Sequence, residues 1–561
     1  MPKVAGYYTL ARKHKNAQGI ACMNKLYFGD NLDILREHIR DETVDLIYLD
    51  PPFNSNANYN VLFKSPKGAD SPAQIHAFED TWHWNEQAER EFGELVRQPN
   101  TDVSEMMQAL RRFLGENDMM AYLTMMANRL LELYRVLKPT GSLYLHCDPT
   151  ASHYLKIVLD GVFGKENFRN EIVWKRAETV KGNFGQGKKS FDVNTDSIFF
   201  YQKTDSALFH PQFKEYTQEY IEGFYKFYEP DTGRRYRLIS MIGPGGAAKG
   251  NPLYEVMGVT RYWRYSKKTM QELIEKGMVV QTREGTVPQR KQYLDEGQGV
   301  AIQSLWDDIG ALSASSAERL GYPTQKPLAL LERIINASSN EGDVVLDPFC
   351  GCGTAVHAAQ KLGRQWLGID ITHLAVSLIE KRMRDAFTGI QFAVEGTPKD
   401  LEGARNLAER DKYQFQWWAC SLVNAQPYQG KKKGADGGID GLIYFNDDGK
   451  LPKKIIVSVK GGENVSRTMV ADLKNAVERD KALLGLFVTL VEPTRPMKEE
   501  ASAAGFYDSP AGSSFPKIQI LTIEGLLSGS EQARYPDLAR GGLTFKQAKV
   551  EEKQVDQKKL F

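Results

Sequence analysis

The chain has 561 residues, 42% of them hydrophobic and 25% charged. That is too long for one ordinary core and too apolar for a disordered polymer, so two or three globular domains are expected. Its 72 Lys and Arg against 71 Asp and Glu leave a net charge of +1, which excludes a uniformly basic nucleic-acid coat and requires any DNA contact to rest on charges separated in space.

In chain order, the first notable segment is Phe28-Gly29-Asp30-Asn31-Leu32, a glycine followed by an acid. Val44-Asp45-Leu46-Ile47-Tyr48-Leu49 is short and apolar, and it stops at Asp50-Pro51-Pro52-Phe53. The pattern predicts a buried strand of a parallel sheet ending in a loop that two prolines hold stiffly. Apolar residues recur at helical spacing from Met119 to Leu137, and after Gly141 comes the predicted strand Ser142-Leu143-Tyr144-Leu145-His146. His146, Cys147 and Asp148 close it as a polar cluster that reads as a satisfied strand end rather than a metal site. From Trp174 to Lys291 basic residues gather. Lys175, Arg176, Lys181, Lys188 and Lys189 interleave with glycines, and Ser197-Ile198-Phe199-Phe200-Tyr201 predicts another sheet strand. Arg234-Arg235-Tyr236-Arg237 and Arg261-Tyr262-Trp263-Arg264 then set guanidinium groups beside aromatics. Such groups suit phosphates, guanine edges and base stacking; a solvated basic face with buried aromatic feet is the plainer alternative.

Tyr322-Pro323-Thr324-Gln325-Lys326-Pro327 precedes the predicted strand Val344-Val345-Leu346, which ends at Asp347-Pro348-Phe349-Cys350-Gly351-Cys352-Gly353-Thr354. Gly351 and Gly353 let backbone approach a ligand ahead of a helix expected near Ala355, while the third glycine of a dinucleotide loop is missing. Asp370 closes the next predicted strand 23 residues after Asp347, a spacing at which a carboxylate meets ribose hydroxyls. Ligands of open α/β sheets bind at the carboxyl ends of strands, so both broken strands point at one site. No second Cys/His cluster accompanies Cys350 and Cys352, which read as loop thiols.

Over residues 20–395 these motifs, in this order, resemble the β group of S-adenosylmethionine-dependent DNA amino-methyltransferases, which includes the modification subunits of type III restriction systems. The resemblance implies an α/β fold with a Rossmann-like, mostly parallel sheet. It implies a catalytic part at 1–202, an inserted target-recognition region at 203–300 and a cofactor-binding part at 301–400. Asp50 and the carbonyl of Pro51 would accept the two N–H groups of an exocyclic base amine and turn its lone pair toward the methyl group. Pro52 would stiffen that loop, and Phe53, where Tyr is commoner, would stack on a flipped base. Asp30, Thr324, Lys326, Asp347, Phe349, Gly351, Gly353, Thr354 and Asp370 would hold the cofactor, with Lys326 on its carboxylate. The acid at 50 favours adenine N6; N4-cytosine methylation and a DNA-binding regulator with a decayed enzyme are the alternatives. No cysteine follows a proline, which excludes the usual thiolate attack at cytosine C5.

After residue 400 the pattern changes. A helix-like stretch at Tyr413–Ala419 leads to Asp436-Gly437-Gly438-Ile439-Asp440-Gly441, the strand Leu442–Phe445, a turn at Asp447-Asp448-Gly449, and the strand Ile455–Lys460. An acid entering one hairpin strand and a lysine leaving its partner should meet across the hairpin. Residues 405–525 resemble a small α/β domain of the PD-(D/E)xK nuclease class. That likeness implies Asp440 and Lys460 as catalytic, Asp436 and Asp440 as metal ligands, and Mg2+ as their ion. Ser458 stands where a carboxylate or glutamine is usual, so either Asp436 compensates or the domain binds DNA without cutting. A separate core is expected for it, followed by a polar tail at 526–561. The tail ends Gln557-Lys558-Lys559-Leu560-Phe561, which resembles a sliding-clamp docking motif; packing of Leu560-Phe561 back on the domain is the alternative. The expected partners are double-stranded DNA, a second copy in a homodimer and the clamp, with no membrane. Five cysteines without framework spacing and the absence of a leader-like start or membrane-length apolar run give a cytoplasmic expectation.

Overall fold

A computed structural model describes residues 24–52, 58–64, 70–79, 83–178, 189, 191–313, 315–322, 324–428, 438–449, 451–510, 512–536, 544–545 and 547–551. Phe53, Lys181, Lys188, Pro323, Asp436 and the residues from 557 to 561 therefore lie outside the described residues.

Nine strands form one open sheet. Their spatial order is Leu305–Trp306, Phe168–Lys175, Thr195–Gln202, Leu137–Cys147, Val44–Leu49, Val344–Asp347, Gln365–Asp370, Lys25–Phe28 and Ala393–Glu395. Every neighbouring pair is parallel except the two made by Thr195–Gln202. The runs Val44–Leu49 and Val344–Asp347 are apolar almost throughout because strands in the middle of such a sheet are covered on both faces. These two strands, far apart in sequence, are neighbours, with Leu46 opposite Val345 and Ile47 opposite Leu346. From the first, the sheet grows in one direction through Leu137–Cys147; from the second, it grows in the other through Gln365–Asp370. This is the switch point, where the crevice at the carboxyl ends opens.

The helix Asp118–Val136 begins where the Asn117 side chain accepts the Met120 N–H, with an acid in its first turn and Arg135 in its last. Met120, Leu123, Met126, Leu130 and Leu133 of this helix pack with Ile47, Leu49 and Leu143 of the sheet. Burial of each such side chain contributes about 1.5–3 kcal/mol.

Residues Pro211–Gln303 form a compact unit of their own. It holds a small antiparallel sheet in the order Val279–Val280, Gln289–Tyr293, Arg235–Ser240, Phe227–Tyr228, and a core of Met241, Val256, Trp263 and Met270. Trp263 is fully buried there, so it serves the core and not base stacking. Three of the arginines expected to face DNA are also engaged within the unit. Arg234 pairs with Asp295 and Glu296 at 2.7 Å, Arg235 donates to the Tyr225 carbonyl, and Arg237 donates to Gln292 and the Tyr220 hydroxyl. Arg261 and Arg264 are exposed.

The C-terminal sheet runs Gln426–Pro427, Gly441–Phe445, Lys453–Lys460, Leu484–Thr489, Ile518–Thr522, with antiparallel pairing first and parallel pairing after Lys453–Lys460. Phe415, Trp418 and Ala419 pack with one group of its side chains, and Val470, Leu473, Ala476 and Met497 pack with another. Both groups draw on side chains of this region, but contacts also leave it. Trp417 and Tyr428 pack against Tyr322, Cys352 and Leu374, residues of the sheet domain beside the glycine-rich loop. Gln414 accepts the His373 N–H at 3.0 Å. The segment expected to be a polar tail also differs. Ile523–Ser528 is helical, Thr544 bonds both the N–H and the carbonyl of Tyr444, and Glu551 lies 3.1 Å from His357 Nε2. No helix among the described residues is long and apolar enough to cross a membrane.

Candidate active site

Both broken strands open into one cavity of about 510 Å³. Asp50, Pro51 and Pro52 come from one loop and Asp347 through Cys352 from the other. Gly29 and Asp30 follow the Lys25–Phe28 strand, Asp370 ends its own, and Tyr322, Thr324 and Lys326 precede the helix Leu328–Ser338. Asp30, Asp50, Asp347 and Asp370 thus reach the cavity from the carboxyl ends of four neighbouring strands, and Thr324 and Lys326 reach it from the segment before a helix.

Asp50 Oδ2 accepts from Lys326 Nζ at 2.5 Å. Its Oδ1 is buried and has no hydrogen-bond partner among the described residues. Lys326, expected to serve a cofactor carboxylate, is therefore paired with the catalytic candidate. An orphaned carboxylate oxygen in a cavity costs free energy unless a ligand donor completes it.

The glycine-rich loop needs its glycines. Gly353 has φ +75°, and a Cβ there would stand 2.9 Å from Ile379 Cγ1; Gly351, also left-handed at φ +53°, donates its N–H to Asp370 Oδ2 at 2.9 Å. Asp370 Oδ1 accepts from the N–H and the hydroxyl of Thr372. Burial pushes the Asp370 carboxyl up to about 6, against these bonds. Asp347 is buried, which carries it well above the usual carboxylate range although it accepts the Phe349 N–H at 3.0 Å. Thr354 starts the following helix, and Phe349 packs at the edge of the main core.

Two arginines without any signature hold these loops. Arg129, on the apolar helix, reaches both oxygens of Asp30 at 2.9 Å and also Asn31, whose amide donates to the Pro348 carbonyl at 2.8 Å. Arg382 is buried and donates to the Cys352 carbonyl at 3.0 Å and the Thr354 hydroxyl at 3.2 Å. A cation inside an apolar helical stripe was the available clue for each. His83, Asn85, Gln87 and Glu91 also line the cavity, from a stretch with no motif. His146 closes a buried chain in which Tyr48 Oη lies 3.0 Å from Nδ1 and Asp196 Oδ2 lies 3.1 Å from Nε2. His146 at this strand end is thus hydrogen-bonded through both ring nitrogens, while Asp196 Oδ1, which accepts no hydrogen bond among the described residues, lies 3.3 Å from Arg176 Nε.

In the C-terminal domain Asp440 and Lys460 do meet, at 3.7 Å. Asp440 Oδ1 accepts from the Gln416 amide at 3.0 Å, and Oδ2 accepts from the Val459 N–H at 2.7 Å and the buried Ser458 hydroxyl at 3.3 Å. Donors surround the carboxylate where a divalent ion would need further oxygen acceptors. Among the described residues no three His, Cys, Asp or Glu side chains could hold a metal. Among the described residues, which do not include Asp436, this arrangement offers Mg2+ no ligand set.

The sheet order, the reversed strand and the glycine-rich loop at the switch point define a methyltransferase fold. A family model described as DNA methylase, of the N6 and N4 type, matches residues 44–381, more than half of the chain. The chain belongs to this N6/N4 DNA methylase family. A second model, described as NACHT-associated inactive Restriction Endonuclease 1, matches residues 420–527. The chain is 26% identical over 363 residues to the type II methyltransferase M.EcaI of Enterobacter cloacae, spanning 64% of this chain and 69% of that one. It is 28% identical over 360 residues to the StyLTI Mod subunit, a type III restriction-modification protein of Salmonella typhimurium, spanning 61% of this chain but only 50% of the relative. It is also similar to the structure of the cytosine-N4-specific PvuII DNA methyltransferase, at 14% identity and a TM-score of 0.31, covering 66% of this chain and 88% of that one.

Proposed function

We propose that the protein methylates the N6 amine of a flipped adenine in double-stranded DNA, as part of a restriction-modification or defence system, with S-adenosylmethionine as methyl donor. The observation that carries the reading is Asp50, whose buried Oδ1, without a hydrogen-bond partner among the described residues, shares a cavity with the Gly351–Cys352 loop. Bound there, S-adenosylmethionine supplies a methyl group on a positively charged sulfur. Asp50 Oδ1 takes one N–H of the incoming amine and the Pro51 carbonyl takes the other, which localises the lone pair otherwise delocalised into the ring. Arg129 and Arg382 fix the loop geometry before the base arrives. The Pro211–Gln303 unit is read as the target-recognition element, with exposed Arg261 and Arg264 and exposed Phe224, Phe227 and Tyr228 for DNA contact. The test is expression in a host free of DNA methylation, followed by nucleoside mass spectrometry. N6-methyladenine is the expected product; N4-methylcytosine would reassign the base, and neither would sink the reading.

Asp370 gives a pH dependence. Its proton is held up to about 6, above the usual carboxylate value, so in the unliganded protein this group favours folding at low pH and loses that contribution as pH rises through about 6. Ribose hydroxyls would donate to the ionised form. S-adenosylhomocysteine should therefore bind more tightly as pH rises through about 6, and Asp370→Asn should remove that part of the dependence in calorimetric titrations. A wild-type affinity that is flat over this range would separate Asp370 from the cofactor.

The C-terminal domain is read as a non-cleaving module, because Asp440 is saturated with donors and Ser458 offers only a hydroxyl. Neither methylated nor unmethylated DNA should be cut by the wild type with Mg2+ or Mn2+. Metal-dependent cleavage lost in Lys460→Ala would restore the nuclease reading.

A further inference from the structure

Among the described residues that line the cavity, Lys326 and Arg129 are the only lysine and arginine. Arg129 is committed to Asp30 and Asn31. Among the described lining residues, Lys326 is therefore the ammonium that an anionic group would find, and it is held at 2.5 Å by Asp50. Their side chains are only 10% and 17% exposed, so the pair is poorly screened by solvent. The acids Asp347 and Asp370 share the same wall. Asp50 and, once ionised, Asp370 oppose a further carboxylate there unless an ammonium turns toward it.

We propose that Lys326 is a positioning residue that couples cofactor binding to arming of the catalytic carboxylate. The inference rests on the methyltransferase reading above and deepens it. In the unliganded chain the Lys326 ammonium neutralises Asp50 and blunts it as an acceptor for a base amine. The carboxylate of the cofactor's amino-acid end competes for that ammonium. As Lys326 shifts toward the ligand, Asp50 regains an unshared negative charge, and both of its oxygens become available to N–H donors. Cofactor therefore binds against the Asp50–Lys326 pair and, by linkage, strengthens the subsequent hold on the amine. Cofactor first, base second is the order that results.

The test compares two ligands on the full-length protein by calorimetry. S-adenosylhomocysteine carries the carboxylate, whereas 5′-methylthioadenosine lacks the amino-acid end. Asp50→Asn, close to isosteric, removes the ion pair with Lys326 and should tighten S-adenosylhomocysteine about fivefold, the reach of one partly screened ion pair, while leaving 5′-methylthioadenosine within about twofold. Lys326→Gln should weaken S-adenosylhomocysteine alone, and in that background Asp50→Asn should have no further effect. Equal changes for both ligands, no change, or tightening that persists in the Lys326→Gln background would overturn the proposal, the last because it would reveal plain repulsion between Asp50 and the ligand. If the wild type binds no S-adenosylhomocysteine, the methyltransferase reading fails and this inference with it. Binding without the Asp50 effect sinks this inference alone.

Discussion

Replacing Asp50 with alanine is expected to lower methyl transfer by at least about a thousandfold while the protein still binds S-adenosylhomocysteine. The size follows from what the side chain does alone. The amine of a base is held planar by conjugation, and two acceptors aimed at its hydrogens are needed to turn the lone pair out of the ring. The Pro51 carbonyl remains in the variant, but the buried Oδ1 of Asp50, without a partner among the described residues, is gone. Single-turnover measurements at saturating cofactor separate this loss from binding. A variant that retains within about tenfold of wild-type chemistry would move the catalytic role elsewhere, and a variant that also loses S-adenosylhomocysteine would make Asp50 part of the cofactor seat.

The two loops could be read from sequence because each signature is local: an apolar strand, then an acid, then prolines or glycines. Their adjacency is not local. Nothing within Val44–Leu49 says that Val344–Asp347 will pair with it; that came from the order of motifs and their resemblance to a family. The Asp440–Lys460 meeting was legible for another reason, since a hairpin fixes which residues face each other, and Gly441 indeed stands opposite Val457. What escaped were the pairings that cross the fold. Lys326 carries the same charge whether it serves a ligand or Asp50, and only three-dimensional placement decides. Arg234, Arg235 and Arg237 looked like base readers because a basic, aromatic run has one appearance whether its guanidinium groups face DNA or their own domain. Trp417 announced a buried helix face without revealing which core would bury it, and it packs in a cluster with Tyr322 and Cys352.

Asp440→Ala is expected to destabilise the C-terminal domain by about 2–3 kcal/mol. Three donors lose their acceptor at once: the Gln416 amide, the Val459 N–H and the Ser458 hydroxyl. Ser458 is buried, whereas the Lys460 side chain is 29% exposed and can turn to water. Most of the loss therefore comes from orphaned neutral donors and little from the ion pair. The sign of the effect tells a retained metal site from a structural acid. Where a carboxylate is kept to hold a cation, the empty site stores repulsion, and its removal stabilises the fold. Where donors already satisfy it, removal destabilises, and millimolar Mg2+ leaves the wild-type unfolding midpoint unmoved. Denaturant unfolding followed by tryptophan fluorescence reads both, with Trp417 and Trp418 on the affected helix. A stabilised Asp440→Ala variant, or a wild-type midpoint raised by Mg2+, would return this site to the nucleases. The same variant should also weaken S-adenosylhomocysteine a few-fold, because Gln416 sits on the helix that presents Gln414 to His373 and Trp417 to the glycine-rich loop. Unchanged cofactor affinity alongside the stability loss would mean that the methyltransferase does not lean on its neighbour.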